Sequence, residues 1–284
     1  MRARAAPWTI LELLHPIPSV LTAGAAVAFA AIFGIPLSDP QIGWIAVIML
    51  LVQFSISALN DWADADLDAH AGRRRPIPLR LISPRTALAV AVASAAAALL
   101  SSAFSGFGIE AFLLVLLGLA SGWAYDLGLK RTPLSVLPFA IAFPLLPLWV
   151  GIVADRPIGS LSLVLLGGIP LAGAIHLADA IPDRDADRAA GVDSLAVALG
   201  RPAAELVAAG LLLIGTLVSI IVLFRHVSSS VFSLSIVVLA GVWFVLSLGA
   251  RDQGWRRAPL VGKWVVIAAA ALAAVPLVVI ASGR

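Results

Sequence analysis

Nine stretches of this chain are apolar over about the length needed to cross a bilayer as a helix, roughly 20 residues. They run Ile17–Ile35, Ile42–Leu59, Thr86–Phe104, Ile109–Tyr125, Leu134–Val153, Leu161–Ala178, Ala204–Leu223, Val231–Leu248 and Lys263–Ile280. Inside lipid a chain must satisfy its own backbone hydrogen bonds, and a run of this length does so as a helix. The 284 residues are 61% hydrophobic and only 12% charged, whereas soluble domains carry roughly 25% charged residues. Mean hydropathy is +1.04. The pattern predicts an all-α integral membrane protein with nine transmembrane helices in a single bundle, one polytopic domain over residues 1–284. The spans are rich in Ala, Gly and Ser, which lets helices approach closely in lipid. With no cysteine in the chain, disulfides, thiolate metal sites and cysteine nucleophiles are excluded. The histidines, His15, His70, His176 and His226, show no metal-ligand spacing.

The basic residues orient the bundle. With the N-terminus cytoplasmic, the tail and the even-numbered loops hold every Lys and Arg except Arg156, Arg225 and Arg284, as the positive-inside rule expects. Arg2 and Arg4 precede an apolar stretch as in a signal peptide. Glu12 and His15 interrupt that stretch, and the next run is long enough to span, so a retained first helix is expected.

Two acidic clusters break this lipophilic sequence. One reads Asn60-Asp61-Trp62-Ala63-Asp64-Ala65-Asp66-Leu67-Asp68, the other Asp179-Ala180-Ile181-Pro182-Asp183-Arg184-Asp185-Ala186-Asp187. Each directly follows an apolar span, and together they hold half of the 16 acidic residues. At ~100° per residue, Asp61, Asp64 and Asp68 share one helix face, as do Asp179, Asp183 and Asp187. Asp66 and Asp185 fall off those faces. Two carboxylates ~5 Å apart at an effective dielectric of ~20 repel by about 3 kcal/mol. A divalent cation removes that cost, and Mg²⁺ takes a few carboxylates together with water and phosphate oxygens. Arg73, Arg74 and Arg75 follow the first cluster, and Lys130 and Arg131 occupy the fourth loop. A metal ringed by such cations would hold a diphosphate and stabilise it as a leaving group. The plainer readings are a solvated acidic loop and, for the basic residues, topology signals and headgroup anchors. Recurrence of two clusters at equivalent places with helical spacing favours the cation site.

That recurrence is also a faint duplication. Acidic clusters follow spans two and six, and basic loops follow spans four and eight, which suggests that the clusters face each other. Transporters carry repeats too, so a secondary transporter or cation channel is the rival from another functional class. Transporters bury ionisable groups near the bilayer midplane. Here the spans are almost free of charge, with Glu110 and Glu205 close to helix ends.

Asn60-Asp61-x-x-Asp64-x-x-x-Asp68, followed by Arg75-Pro76-Ile77-Pro78 and Ile82-Ser83, resembles the first signature of the UbiA-type intramembrane prenyltransferases. Tyr125-x-x-x-x-Lys130-Arg131-Thr132 resembles their fourth-loop motif. Asp179-x-x-x-Asp183-x-x-x-Asp187-Arg188-Ala189-Ala190-Gly191, then Ser194-Leu195-Ala196-Val197 and Leu199-Gly200, resembles their second signature. The likeness runs from about Ile42 to Gly200.

The resemblance implies a nine-span fold and Mg²⁺-dependent transfer of a polyprenyl group from an isoprenoid diphosphate to a small aromatic or quinone-precursor acceptor. A terpene cyclase, with the cation captured by the donor's own double bonds, is the alternative within the family. The resemblance further implies that Asn60, Asp61, Asp64, Asp68, Asp179 and Asp183 hold one or two Mg²⁺ ions, with Asp187 joining them. Arg75, Lys130 and Arg131, with Asn60, would bind the donor's head. Asp64, Asp183, Lys130 and Tyr125 would carry the chemistry, Tyr125 binding the diphosphate or shielding the carbocation. Its plainer reading is an interfacial aromatic anchor. Partners would be the donor, the acceptor and membrane lipids, with no nucleic acid. The location implied is a prokaryotic plasma membrane, crossed many times, with the active-site loops cytoplasmic.

The chain departs from the family pattern in four places. Pro182 sits inside the second cluster, Val192-Asp193 replace a basic residue, His15-Pro16 stands for Arg-Pro, and Gly72-Arg73-Arg74 replaces an Arg-Thr pair. His176, one turn before Asp179, is read as a packed helix histidine rather than one facing the reaction chamber.

Overall fold

The computed structural model describes residues 7–70, 72–226, 259–281 and 283, which form helices and the turns between them. Among the described residues, eight helices are long and apolar enough to cross a bilayer, with mean hydropathy from 1.6 to 2.7. The expected span Val231–Leu248 and the basic loop from Arg251 to Arg257 lie outside the described residues. The chain divides into two compact units, one running to Gly128 with Ile152–Ala154, the other comprising Leu129–Gly151 and the chain from Asp155 onward.

The first unit contains α1 (Pro7–Leu13), α2 (Pro16–Phe33), α3 (Pro40–Ala63), α4 (Ala65–His70), α5 (Pro84–Phe104) and α6 (Gly108–Leu127). Proline opens α2, α3 and α5, at a position where its missing N–H breaks no helical bond. Asp39 caps α3 by accepting from the Gln41 N–H at 2.9 Å, and Ser83 caps α5 by accepting from the Thr86 N–H at 3.1 Å, each satisfying a donor the helix start leaves open. Gly34, at φ 100°, closes α2 with its N–H on the Ala30 and Ala31 carbonyls, a left-handed turn that glycine makes without strain. Helix α3 is the hub, packed against α2, α5 and α6. Ser55 Oγ donates to the Ala91 carbonyl at 2.9 Å and accepts from Trp123 Nε1 at 3.0 Å, tying α3 to both α5 and α6.

The second unit opens with two 3₁₀ turns, Leu129–Arg131 and Pro133–Ser135. It continues with α7 (Val136–Val153), α8 (Ile158–Ala180), α9 (Arg184–Ala189), α10 (Leu195–Leu199), α11 (Arg201–His226) and α12 (Pro259–Ala281). Its hub is α8, packed on α11 and α12 around Leu171, Ala174, Ala178, Leu212, Ala273 and Leu277. A Cβ on Gly215 would stand 2.5 Å from Leu171 Cδ2 and 3.2 Å from the Gly167 carbonyl, so α11 lies on α8 closer than a larger residue permits.

The two units share a plan: a long apolar hub helix, α3 or α8, runs directly into an aspartate motif. This matches the acidic half of the expected duplication, whereas the basic loop expected after span eight lies outside the described residues. Ile17, Phe104 and Leu206 are each more than 70% exposed on outer helix faces, a cost in water that lipid removes. The chain is a multi-pass integral membrane protein.

Candidate functional site

In the first unit α3 carries Asn60 and Asp61 in its last turn, Asp64 sits at its C-cap, and Asp68 lies on α4. The Asp64 N–H still reaches the Asn60 carbonyl at 2.9 Å, and the Asp68 N–H reaches the Asp64 carbonyl at 2.8 Å. Helical register therefore persists across the break. Asp61 and Asp68 are buried, Asp64 is half-buried and Asp66 is exposed, the order that ~100° per residue dictates.

Asn60, Asp61 and Asp68 each have a defined neighbour. Asn60 Nδ2 donates to Asp126 Oδ1 at 2.8 Å. A carboxylate only accepts, so the Asn60 nitrogen faces Asp126 and the amide oxygen points away. Asp61 Oδ1 lies 2.9 Å from His15 Nε2 and 3.9 Å from an Arg75 guanidinium nitrogen, which is itself 3.1 Å from His15 Nε2. Among the described residues, the buried Oδ2 of Asp61 has no hydrogen-bond partner. Asp68 accepts from Arg73 at 3.2 Å. Burial pushes the Asp68 carboxyl above its ordinary range, Arg73 opposes that, and neighbouring Asp64 adds to it.

Arg75 is brought to Asp61 by its own loop. Ile77 and Ile82, either side of the turn, are buried against Leu59 and Ala87. That burial draws the Arg75-Pro76-Ile77-Pro78 segment onto the end of α3. Arg75 and His15 also line a groove of about 520 Å³ with Leu11, Glu12 and Ile17.

In the second unit α8 stops at Ala180, and Asp183 sits at the N-cap of α9. Pro182 has no N–H to continue the helix. The Asp183 N–H turns back to the Ala180 carbonyl at 3.2 Å, and the Asp187 N–H then bonds the Asp183 carbonyl at 2.9 Å. The continuous face expected for Asp179, Asp183 and Asp187 is thus interrupted by a tighter turn. Asp179 pairs with Lys263, Asp183 is exposed and Asp187 is half-buried. Asp185, as its spacing predicts, points outward and meets Arg184 at 2.6 Å.

Tyr125 is half-buried in the last turn of α6. Lys130 and Arg131 occupy the 3₁₀ turn after it, and the Arg131 carbonyl accepts from the Asp193 N–H at 3.2 Å. His176 is 1% exposed, 2.9 Å from Ser135 Oγ and tilted on Phe139 at 4.7 Å. Ser135 Oγ also accepts from the Leu195 N–H at 3.2 Å. The packed-histidine reading holds: His176 and Ser135 fasten α8 to the fourth loop and to α10.

Three partners escaped the sequence reading. In the sequence His15 stands as an interruption of an apolar stretch and a departure from the family pattern, Lys263 as one of the cytoplasmic basic residues, and Asp126 as one of the x positions of the Tyr125 motif. A local signal for Asp126 existed: it is an acidic residue in the last turn of a span that is otherwise uncharged after Glu110.

These groups suit a hard cation. Among the described residues no three carboxylate or imidazole groups converge on one point. Mg²⁺ does not need a protein cage, since it binds through one or two carboxylates and completes its shell with water and substrate phosphates. The outward amide oxygen of Asn60 and the half-buried Asp64 carboxylate beside it are donors of that kind.

The model of the UbiA prenyltransferase family matches residues 19–263, taking in both aspartate motifs and the fourth loop. The chain belongs to the UbiA prenyltransferase family. It is 33% identical over 180 residues to a protoheme IX farnesyltransferase of Agrobacterium fabrum, covering 55% of this chain and 50% of that one. It is 33% identical over 155 residues to a digeranylgeranylglyceryl phosphate synthase of Korarchaeum cryptofilum, covering 53% of each. The chain spans about half the length of these curated relatives. A solved structure of a digeranylgeranylglyceryl phosphate synthase superposes with a TM-score of 0.77 at 15% identity, over 97% of this chain and 98% of that one. A UbiA homolog from Archaeoglobus fulgidus, bound to GPP and Mg²⁺, superposes with a TM-score of 0.69 at 19% identity, over 94% and 99%. The all-α, UbiA-like fold expected from the motifs is borne out.

Proposed function

We propose that this UbiA family member transfers a polyprenyl group from an isoprenoid diphosphate to a small aromatic or quinone-precursor acceptor, working as one membrane domain. The observation that carries the reading is that each unit's hub helix delivers a set of oxygen ligands to the end of an apolar span. The donor has matching chemistry, a greasy tail joined to a multiply charged head.

Mg²⁺, when bound, neutralises the diphosphate and makes it a better leaving group. Asn60, Asp64 and Asp68 from the first motif, and Asp179, Asp183 and Asp187 from the second, are the residues assigned to hold one or two such ions. Asp61 joins them through Oδ2, which has no hydrogen-bond partner among the described residues. Arg75, Lys130 and Arg131 take up the remaining charge of the diphosphate. The allylic C–O bond breaks with its electron pair leaving on the diphosphate. An electron-rich acceptor carbon forms the new C–C bond and loses its proton. Tyr125 is assigned to bind the diphosphate or shield the allylic cation, and the apolar helices exclude the water that would quench it. The distribution of basic residues supports a cytoplasmic side for this chemistry, and the family resemblance supports a prokaryotic plasma membrane.

The test is diphosphate release by purified protein in nanodiscs, given geranylgeranyl diphosphate with Mg²⁺ or EDTA. The acceptor panel includes hydroxybenzoate and dihydroxynaphthoate, with protohaem IX and geranylgeranylglyceryl phosphate added because relatives are named protoheme IX farnesyltransferase and digeranylgeranylglyceryl phosphate synthase. Mg²⁺-dependent release that requires one acceptor supports transfer and identifies its class. Release with no acceptor and a cyclic product points to the cyclase. Absence of release with donors of every chain length overturns the assignment.

A further inference from the structure

Asp126 has no part in the chemistry above, yet its carboxylate is 2% exposed near the end of an apolar helix. A buried carboxylate is costly unless it is paired. One of its partners is Asn60, 66 positions away in sequence and on a different helix, at 2.8 Å. The bond has a directional consequence. An amide carries a donor at one end and an acceptor at the other, and a carboxylate can engage only the donor. Asn60 is therefore locked with its nitrogen toward Asp126 and its oxygen away, one helical turn before Asp64. An Asn60 amide turned the other way would present N–H groups to a cation and repel it.

We propose that Asp126 is a positioning residue for the first motif. It fixes the Asn60 amide with the oxygen available to a divalent cation and acts on the cation through that amide alone. The inference rests on the reading of Asn60 as a cation ligand. Partners of this kind, one step removed from a metal, orient the ligand and raise its basicity.

The test is Mn²⁺ binding, used as a spectroscopic substitute for Mg²⁺ and read by EPR on purified protein in nanodiscs without donor. Asp126→Asn is expected to weaken Mn²⁺ binding about 10- to 100-fold, the usual effect of removing such a partner, because two facing amides pair either way round. Asn60→Ala should weaken it comparably, and adding Asp126→Asn to Asn60→Ala should cost nothing more, since the two act as one unit. The exchanged pair, Asn60→Asp with Asp126→Asn, keeps a hydrogen bond but reverses its direction: the amide at position 126 donates to one oxygen of the carboxylate at position 60 and leaves the other oxygen facing outward. Its Mn²⁺ affinity should return to within about threefold of wild type.

A folded Asp126→Asn protein that binds Mn²⁺ like wild type, while Asn60→Ala does not, overturns this inference and leaves the cation site standing. Intact binding in Asn60→Ala, or no binding by wild type, removes the cation-ligand reading of Asn60 and this inference with it. Should Asp126→Asn not fold, Asp126→Glu carries the same test, since it keeps the charge and displaces the oxygen. It too is expected to lose Mn²⁺ affinity, and wild-type affinity there overturns the proposal.

Discussion

Asp61, in the last turn of α3, and His15, at the elbow between α1 and α2, meet with 2.9 Å between Oδ1 and Nε2. His15 adopts φ 45° and ψ 67° and caps α2 without a side-chain cap bond. That left-handed conformation costs a non-glycine residue roughly 1–2 kcal/mol. The same Nε2 faces the Arg75 guanidinium. A ring nitrogen either donates or accepts, so the ring proton decides whether His15 serves Asp61 or Arg75. The elbow is thus held in a strained shape by the ion cluster that its side chain joins.

Substitution at position 15 should separate the strain from the contact. His15→Ala keeps the strain and loses the contact, and should destabilise the protein by about 2 kcal/mol, as for a hydrogen bond to a charged group. His15→Gly loses the contact but relieves the strain, and should be about 1 kcal/mol more stable than His15→Ala. Equilibrium unfolding in mixed detergent micelles reads both. Equal stability of the two variants would show that the elbow is not strained.

What was legible in the sequence was periodic or local. Span lengths follow from bilayer thickness, and the burial order of Asp61, Asp64, Asp66 and Asp68 follows from helical spacing carried through the break at Asp64. The interruption of the second motif also had a local sign in Pro182, whose missing N–H ends α8 at Ala180. Pairing between distant segments was not legible. His15 and Asp61 are 46 positions apart and Asn60 and Asp126 are 66 apart, and neither spacing nor hydropathy relates one helix end to another. Lys263 reads as a topology signal, because a single sequence does not say which carboxylate a cation will meet.

The Lys263–Asp179 pair leads to a prediction about cation affinity. Lys263 Nζ rests on the second-motif carboxylate, so an incoming divalent ion competes with an ammonium already there. Both side chains are partly exposed, and such a pair contributes at most about 1 kcal/mol. Lys263→Met should therefore tighten Mn²⁺ binding by no more than about fivefold, with Lys263→Arg near wild type. Titration at low and high salt checks it, since the difference between wild type and Lys263→Met should shrink as salt screens the pair. Weaker binding in Lys263→Met would mean that Lys263 supports the ion instead of competing with it.

Asp68 gives a pH dependence of definite sign. Its carboxyl is raised above the ordinary value of 3.8, chiefly by burial. The folded state then holds the proton more tightly than the unfolded state. Stability from this group is full below the unfolded pKa and is lost as pH rises through the folded pKa. At neutral pH the buried charge is a cost. Asp68→Asn should therefore melt higher than wild type at pH 7 in EDTA, and the gap should narrow as the pH approaches about 4. Added Mg²⁺ should raise the melting temperature of wild type more than that of Asp68→Asn. A gap that widens on acidification would reverse the assignment.

The assignment of roles within the motifs predicts an unequal response to removal of carboxylates that are close in sequence. Asp64 sits half-buried at the C-cap of α3, one turn from the Asn60 amide, and Asp183 holds the corresponding position before α9. Asp66 is exposed on α4, turned away from that face. Asp64→Ala and Asp183→Ala should leave folded protein in the membrane but reduce diphosphate release by roughly a hundredfold or more, the scale of losing one electrostatic partner of a leaving group. Asp66→Ala should stay within about threefold of wild type, as expected of a surface carboxylate without a buried partner. Single-turnover release with saturating donor and Mg²⁺ measures all three, and melting curves confirm that each variant is folded. Equal losses at Asp64 and Asp66 would mean that the helical register across the α3–α4 break does not select the ligands. The first motif would then act through its total charge and not through one face.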